Sequence, residues 1–324
     1  MMSDKRQILR SEVILEKYGK SLAGKTVLIT GISNDSIAGE LAVQLATANP
    51  KLLILSARAE SKVTGVTEKI KSINPNVATR YLNMDLSDLA AVRRAADDIA
   101  DIPTIDHLVC VAGVMTPPYG KTKDGIEQQL AVNYLANFLL IKLLLPKVQA
   151  AGPSSSVVVM ASSAVRVGKM NFDDYNFSDG ATYDPMAAYG QSNAARVMFI
   201  KKLGEKLKAQ QIRAFSVDPG AVLTGLQRYC PPEFEQQVAE WKKAGPMVDL
   251  DGIPYEIPPW TTTSEGAATV ITGMIDPTIA EYSGSFLNQN AVADDELHSH
   301  IKDEGNWERL WDLSEQLTQE KFTL

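Results

Sequence analysis

The chain has 324 residues, 45% of them hydrophobic and 22% charged, with a formal net charge of −7. That many apolar side chains can offset the entropy of ordering, which excludes a disordered chain, and the acidic excess excludes binding built on neutralising nucleic-acid phosphates. The two cysteines, Cys110 and Cys230, form no Cys-x-x-Cys pair, which excludes a disulfide framework and a structural zinc site and points to a reducing compartment, by default the cytoplasm.

In chain order, residues 1–23 carry charges throughout and lack the apolar centre of a signal peptide, so they read as a helical or partly ordered extension. From Gly24 onward short β-branched runs alternate with longer periodic segments. Strands are expected at 26–30, 52–56, 77–82, 107–112, 157–161 and 212–217, and helices at 37–48, 61–73, 89–99, 125–149 and 186–208. Near-continuous apolar strands alternating with helices imply a parallel sheet covered on both faces. The expected fold is α/β, a Rossmann-type doubly wound parallel sheet in three layers, with ligand in the crevice at the strand carboxyl ends. Length alone permits two domains, but no composition shift divides the chain, so one domain over 24–324 is expected.

After Thr224 the alternation breaks. Residues 225–263 hold Pro231, Pro232, Pro246, Pro254, Pro258 and Pro259 around a helix at 233–243, and read either as a substrate lid or as an oligomer contact. A helix at 264–275, a short strand at 285–288 and a last helix with Trp307 and Trp311 follow. The most apolar stretch, 135–145, is interrupted by Lys142 and too short to cross a bilayer. His298 and His300 lie beside Asp294, Asp295 and Glu296, where a solvated loop is the better reading than a metal site.

Chemistry concentrates at the carboxyl ends of the strands. Thr30-Gly-Ile-Ser-Asn-Asp-Ser-Ile-Ala-Gly39 joins the first strand to its helix, and Ser56-Ala-Arg58 ends the second. Met84-Asp-Leu-Ser87 follows the third strand, Cys110-Val-Ala-Gly113 ends the fourth, and Asn133 lies within the long apolar helix. Ser162 ends the fifth strand; Tyr189-Gly-Gln-Ser-Asn193 and Pro219-Gly-Ala-Val-Leu-Thr224 come after it. Taken in this order the motifs resemble the short-chain dehydrogenase/reductase superfamily, most closely its retinol-dehydrogenase-like branch, over nearly everything from residue 24 onward.

The resemblance implies an NADP(H) site. The first turn matches Thr-Gly-x-x-x-Gly-x-Gly with Gly31 in place, Ser36 and Ala38 where the next glycines belong, and Ile37 between them. Small residues still permit close approach to a pyrophosphate at a helix N-terminus, and Ser33, Asn34 and Ser36 can donate hydrogen bonds; a plain strand–helix turn is the bland alternative. Arg58 offers a fork for a 2′-phosphate, against the alternative of a solvated arginine. Asp85 matches an adenine contact or is a turn residue. Ala112 and Gly113 keep space beside the cofactor, while Val111 lacks the family's Asn hydrogen bonds. Pro219, Gly220, Val222 and Thr224 match the stretch that meets the nicotinamide.

The implied catalytic set is Asn133, Ser162, Tyr189 and Asn193. In the family the Asn133 position holds a proton-relay water, although an Asn in an apolar helix also fits a structural role. Ser162 polarises a substrate oxygen, and Tyr189 exchanges its proton. Tyr189 and Asn193 share a helix face at i and i+4, where the family has Tyr-x-x-x-Lys. Asn193 keeps a hydrogen bond but not the charge that lowers the tyrosine pKa. Losing it slows proton transfer without forbidding hydride transfer, and it penalises reduction less than oxidation, because reduction uses the protonated phenol. Arg196, Lys169 or Arg166 could restore the charge; the plainer reading has Arg196 packing at a sheet or subunit contact. The expected function is carbonyl reduction on a hydrophobic small molecule. The alternative is a redox-silent member of the fold that isomerises, cyclises, eliminates or only binds. No metal is expected, and because the family commonly dimerises through the Tyr189 helix, a homodimer is what the resemblance implies.

Overall fold

The apolar runs form strands in a computed structural model that describes residues 6–324. They are β1 (Thr26–Thr30), β2 (Leu52–Ala57), β3 (Ala78–Asn83), β4 (His107–Cys110), β5 (Ser156–Met160) and β6 (Arg213–Asp218). Beyond β6 come β7 (Ala221–Val222), β8 (Met247–Val248), β9 (Pro254–Tyr255), β10 (Trp260–Thr261), β11 (Phe286–Asn288) and β12 (Ala291–Val292). The main sheet has the order β12-β11-β6-β5-β4-β1-β2-β3, with every neighbouring pair parallel except β11 and β12. The strand order reverses between β1 and β4, where Thr30 lies opposite Cys110, and a crevice opens at such a reversal.

Successive strand residues face opposite sides of the sheet, which divides the core in two. Leu28 of β1 faces the helices α4 (Leu89–Asp98), α5 (Ala136–Ala151), α6 (Pro185–Leu207) and α10 (Glu304–Thr318). Val27 and Ile29 face α1 (Ser11–Tyr18), α2 (Ile37–Ala46), α3 (Thr64–Ile73) and α8 (Thr263–Ile275). The remaining helices are α7 (Phe234–Ala244) and the short α9 (Ser299–Lys302). This is the three-layer doubly wound arrangement expected from the sequence.

Several details differ from the periodicity. α2 stops at Ala46 because Thr47 turns its hydroxyl back onto the Gln44 carbonyl (2.8 Å) and Asn49 takes a positive φ of 58° before Pro50. The stretch expected as one helix over 125–149 begins with a π-helix at Leu130–Leu135 and continues as α5. From Leu130 to Ala151 this element is long and apolar enough to cross a membrane, but it is buried between the sheet, α4 and α6 and so serves as a core helix.

Residues 1–5 of the expected extension lie outside the described residues. The rest is not loose: Ile14, Leu15 and Leu22 are buried in the core, and α1 docks on α8 through a reciprocal serine pair. The Ser11 N–H donates to Ser264 Oγ (3.1 Å) and Ser11 Oγ donates to the Ser264 carbonyl (2.7 Å).

The segment 225–263 leaves the sheet after β7 and returns through β10, which pairs in parallel with β7. Between these points lie α7 and the β8–β9 hairpin, with Trp241, Val248, Leu250 and Ile253 exposed. The hairpin is moored at its tip, where the Leu250 N–H donates to the Arg166 carbonyl (3.1 Å) and Asp251 accepts from the Ser299 N–H and hydroxyl (both 2.6 Å). On the other side, α10 lies over α5 and α6. Trp311 packs 5.6 Å from the Phe138 ring and 5.7 Å from Phe199, so this chain's own last helix covers the aromatic stripe of α6.

Ser11→Ala removes one buried hydrogen bond, that from Ser11 Oγ to the Ser264 carbonyl. It is expected to cost about 0.5–1.5 kcal/mol, read as a lower midpoint in urea unfolding with an unchanged slope. An unchanged midpoint would show that the α1–α8 contact contributes nothing to stability.

Candidate active site

The crevice at the β1–β4 reversal is a cavity of about 760 Å³. Gly31 opens it with φ +83°; a Cβ there would lie 2.7 Å from the Ala112 Cα, so only glycine lets the ends of β1 and β4 close up. The Thr30 hydroxyl fastens the same junction by accepting from the N–H groups of Val111 (3.1 Å) and Ala112 (3.2 Å).

Ser36 is the N-cap of α2 and holds the turn shut from within. Its hydroxyl accepts from the Ser33 and Gly39 N–H groups (3.1 and 3.0 Å) and donates to the Ser33 carbonyl (2.9 Å). The glycine requirement read at Ala38 falls one residue later: a Cβ on Gly39 would lie 2.1 Å from the Ser33 carbonyl oxygen. The inserted residue in the turn hides this from motif spacing. Asn34 turns away from the cavity, against Gly65 of α3.

Gly31, Ser33, Ser36, Ile37, Arg58, Asp85, Ala112, Gly113 and Thr224 all line the cavity. Asp85 accepts from the Ser87 N–H (2.9 Å) and hydroxyl (2.7 Å), the turn role weighed for it. Thr224 caps the 3₁₀ turn that opens the segment 225–263, accepting from the Leu226 N–H (3.2 Å). Lys62 and Arg228 also line the cavity, so three cations face Asp85 across it. Neither cation belongs to a motif, and Arg228 arrives from that segment. Pro219, Gly220 and Val222 sit behind the wall and shape the exit of β6 rather than the cavity.

Ser162 and Tyr189, the residues expected to handle the proton, are not among those that line the cavity: Ser162 is half-buried and Tyr189 buried. Ser162 ends β5 and caps a short 3₁₀ turn, accepting from the Ala164 N–H (3.2 Å). The loop after it packs directly on the start of α6: a Cβ on Gly168 would meet the Gly190 carbonyl at 2.1 Å. Its Gly168 carbonyl also lies 2.9 Å from His298 Nε2. This backbone contact sets Ser162 beside Tyr189. Burial pushes the Tyr189 phenol above its ordinary value; Arg196 pulls it back most, followed by hydrogen bonding from Ser162, while Asp218 raises it.

Asn193 is fully buried and does not line the cavity. Its Nδ2 donates to the Tyr189 carbonyl (2.9 Å) and its Oδ1 accepts from Arg196 Nη1 (3.2 Å). Asn133 is equally committed. Its amide pairs with both backbone groups of Val114 (2.8 and 2.9 Å) and with Ser192 Oγ (2.9 Å), while its carbonyl accepts from Asn137 Nδ2 (2.7 Å) and Arg196 Nε. Both lone pairs of that carbonyl are thus engaged within the protein. Of the cations weighed near Ser162, Arg166 pairs with Glu296 (2.8 Å) and lies over the Tyr255 ring, and Lys169 is exposed near His300. Arg196 packs inside the subunit, against the end of β4.

Asp218 closes β6 and stands in no motif matched above. Its signal in the sequence is an acid continuing a buried apolar strand. One carboxylate oxygen accepts from the Gly220 N–H (3.0 Å); the other is buried with no partner. Burial pushes this carboxyl up to about 6, with Glu296 adding to the rise and Arg166 opposing it.

The family model for short chain dehydrogenases matches residues 25–233. The chain is 30% identical to retinol dehydrogenase 14 of Mus musculus over 302 residues, covering 90% of this chain and 85% of that protein. It is also 30% identical to retinol dehydrogenase 11 of Mus musculus over 310 residues, or 95% and 90% of the two chains. Retinol dehydrogenase 13 of Homo sapiens is 36% identical over 212 residues, a span of 64% of this chain and 62% of that protein. A putative uncharacterized protein from Mycobacterium Paratuberculosis superposes with a TM-score of 0.69 at 28% identity, covering 94% of this chain and 96% of its own.

An acid whose folded pKa is raised from 3.8 to about 6 destabilises the folded state once it ionises. The penalty is absent below the unfolded pKa, grows as pH rises between the two values and is complete above about pH 6. Asp218→Asn keeps the bond from Gly220 and removes the charge. It is expected to raise stability by on the order of 3 kcal/mol above about pH 7 and by nothing near pH 4. Unfolding midpoints across this range test it, and a gain independent of pH would refute the ionisation account.

Proposed function

As the chain belongs to the short-chain dehydrogenase family, in its retinol-dehydrogenase-like branch, we propose that this oxidoreductase uses NADP(H) to reduce a carbonyl on a hydrophobic small molecule. The observation that carries the cofactor choice is the charge around the cavity: Arg58, Lys62 and Arg228 against the single carboxylate of Asp85. Three cations suit a ligand with three phosphate groups better than one with two. Arg58 stands at the end of β2, where it offers a fork to a 2′-phosphate, and its side chain has no carboxylate partner among the described residues.

The cavity fits such a cofactor on its own geometry. Gly31 presents no Cβ at the opening of the turn, Gly39 lets the turn close on the Ser33 carbonyl, and the N-terminus of α2 faces the space where a pyrophosphate would lie. Bound NADPH supplies the hydride. The chain's own residues do the rest: Ser162 donates a hydrogen bond to the substrate oxygen, and Tyr189 delivers a proton to it as the hydride arrives. The direction of reduction follows from the state of that phenol, which burial keeps protonated at neutral pH. Met160, Val132 and Leu226 give the cavity apolar walls that suit a lipophilic substrate, an aldehyde of the retinol type being the first to try. A reducing compartment suits the free thiols Cys110 and Cys230.

A protein which binds the cofactor without turning it over is favoured by Asn193, which brings no charge to the site, and by the placement of Ser162, Tyr189 and Asn193 outside the cavity lining. Calorimetric titration with NADPH and NADH, alongside turnover of hydrophobic aldehydes and ketones, separates the two readings. NADPH is expected to bind more tightly than NADH, with Arg58→Ala removing roughly 10–100-fold of that preference. Tyr189→Phe is expected to leave NADPH binding in place and lower kcat by ~10²–10⁴-fold. Absence of NADPH binding refutes the proposal, and binding without turnover of any carbonyl supports the silent reading.

A further inference from the structure

Arg196 is a buried cation at this site that faces no counter-charge among the described residues. It lies seven residues after Tyr189 on α6 and is almost completely enclosed. All of its acceptors are neutral: Nε donates to the Asn133 carbonyl, Nη2 to the Ala112 carbonyl (2.7 Å) and Nη1 to Asn193 Oδ1 (3.2 Å). No carboxylate pairs with it among the described residues. An isolated buried cation is costly unless it is fully hydrogen-bonded. One acceptor comes from the π-helix at Leu130–Leu135, where the Asn133 carbonyl accepts from two side chains, Asn137 Nδ2 and Arg196 Nε. Gly113 completes the accommodation: a Cβ there would sit 3.3 Å from Nη2.

We propose that Arg196 is the positioning cation of the Tyr189 site, supplying from two turns further along α6, with Asn193 as its hydrogen-bonded spacer, the positive charge that a lysine at position 193 would supply directly. The inference rests on Tyr189 being the proton donor. It explains Asn193 as well as Arg196: a lysine at 193 would set a second buried cation against the guanidinium, whereas an asparagine accepts from it. Burial lowers the guanidinium to about 10, so it remains charged at neutral pH. Around Tyr189 the field comes from Arg196 on its own helix and from Asp218 at the end of β6, with opposite signs. From β4, Cys110 faces Arg196 as a neutral thiol, since burial pushes it up to about 12.

The test is the ionisation of Tyr189 itself, read as the ultraviolet difference titration between each protein and the same protein carrying Tyr189→Phe, without cofactor or substrate. Arg196→Met is expected to raise the phenol titration by roughly 1–3 units, and Arg196→Lys to keep most of the original value. Asn193→Lys alone is expected to lower stability, and Asn193→Lys with Arg196→Met to restore both stability and the phenol titration. If Arg196→Met does not fold, the lysine variant and the double variant carry the same comparison. A phenol titration unmoved by removal of the charge, whatever happens to stability, overturns the proposal and leaves Arg196 a structural pin. Because this readout needs no turnover, its outcome is independent of whether any carbonyl is reduced: a shifted phenol in a protein that reduces nothing refutes the functional reading and leaves the role of Arg196 standing.

Discussion

A guanidinium with only neutral acceptors joins three parts of the chain, the end of β4 at Ala112, the π-helical turn at Asn133 and the middle of α6 at Asn193, and the Asn133 amide ties the same three together through Val114 and Ser192. Each bond fixes a segment that borders the crevice. Ala112 and Gly113 form its wall, Asn133 sets that wall's depth by pairing with Val114, and Asn193 fixes the helix that carries Tyr189. Position and charge are therefore coupled here. Moving the cation would displace the wall and the phenol together.

The local order of the fold was legible because it follows from simple periodicities. Runs such as Val27 to Ile29 are buried on both faces, and only a parallel sheet covered twice by helices satisfies that pattern. The residues that line the crevice were legible for the same reason, since Gly31, Arg58, Asp85 and Gly113 stand at strand ends whatever their partners. What escaped depends on contacts between distant segments. Gly39 matters because of a carbonyl in a turn with one extra residue, and Gly168 because of Gly190 across a loop. Asp218 required knowing that its strand end is sealed from water, and Lys62 and Arg228, far apart in the chain, share a cavity only in the folded protein. Helix periodicity likewise carries no sign of the π-turn, because one added residue per turn leaves an all-apolar stretch looking the same.

The site is electrically layered. Its cavity wall carries Arg58, Lys62 and Arg228, while one cation, Arg196, and one reluctant acid, Asp218, are buried away from that wall. The outer charges are exposed, where salt screens them. The inner pair sits in a medium that screens little, and the two push the phenol in opposite directions.

The contact between Gly168 and Gly190 has a bearing on spacing. With no side chain between them, the loop after Ser162 and the start of α6 approach backbone to backbone, and any side chain at either position would push Ser162 and Tyr189 apart. The segment between Thr224 and Thr261 meets the cavity only at its start, through Thr224, Gly225, Leu226 and Arg228, while its hairpin is moored to the body through Arg166 and Ser299. A substitution at either glycine therefore acts on the distance between two hydroxyls, whereas one in the hairpin falls away from the cavity wall.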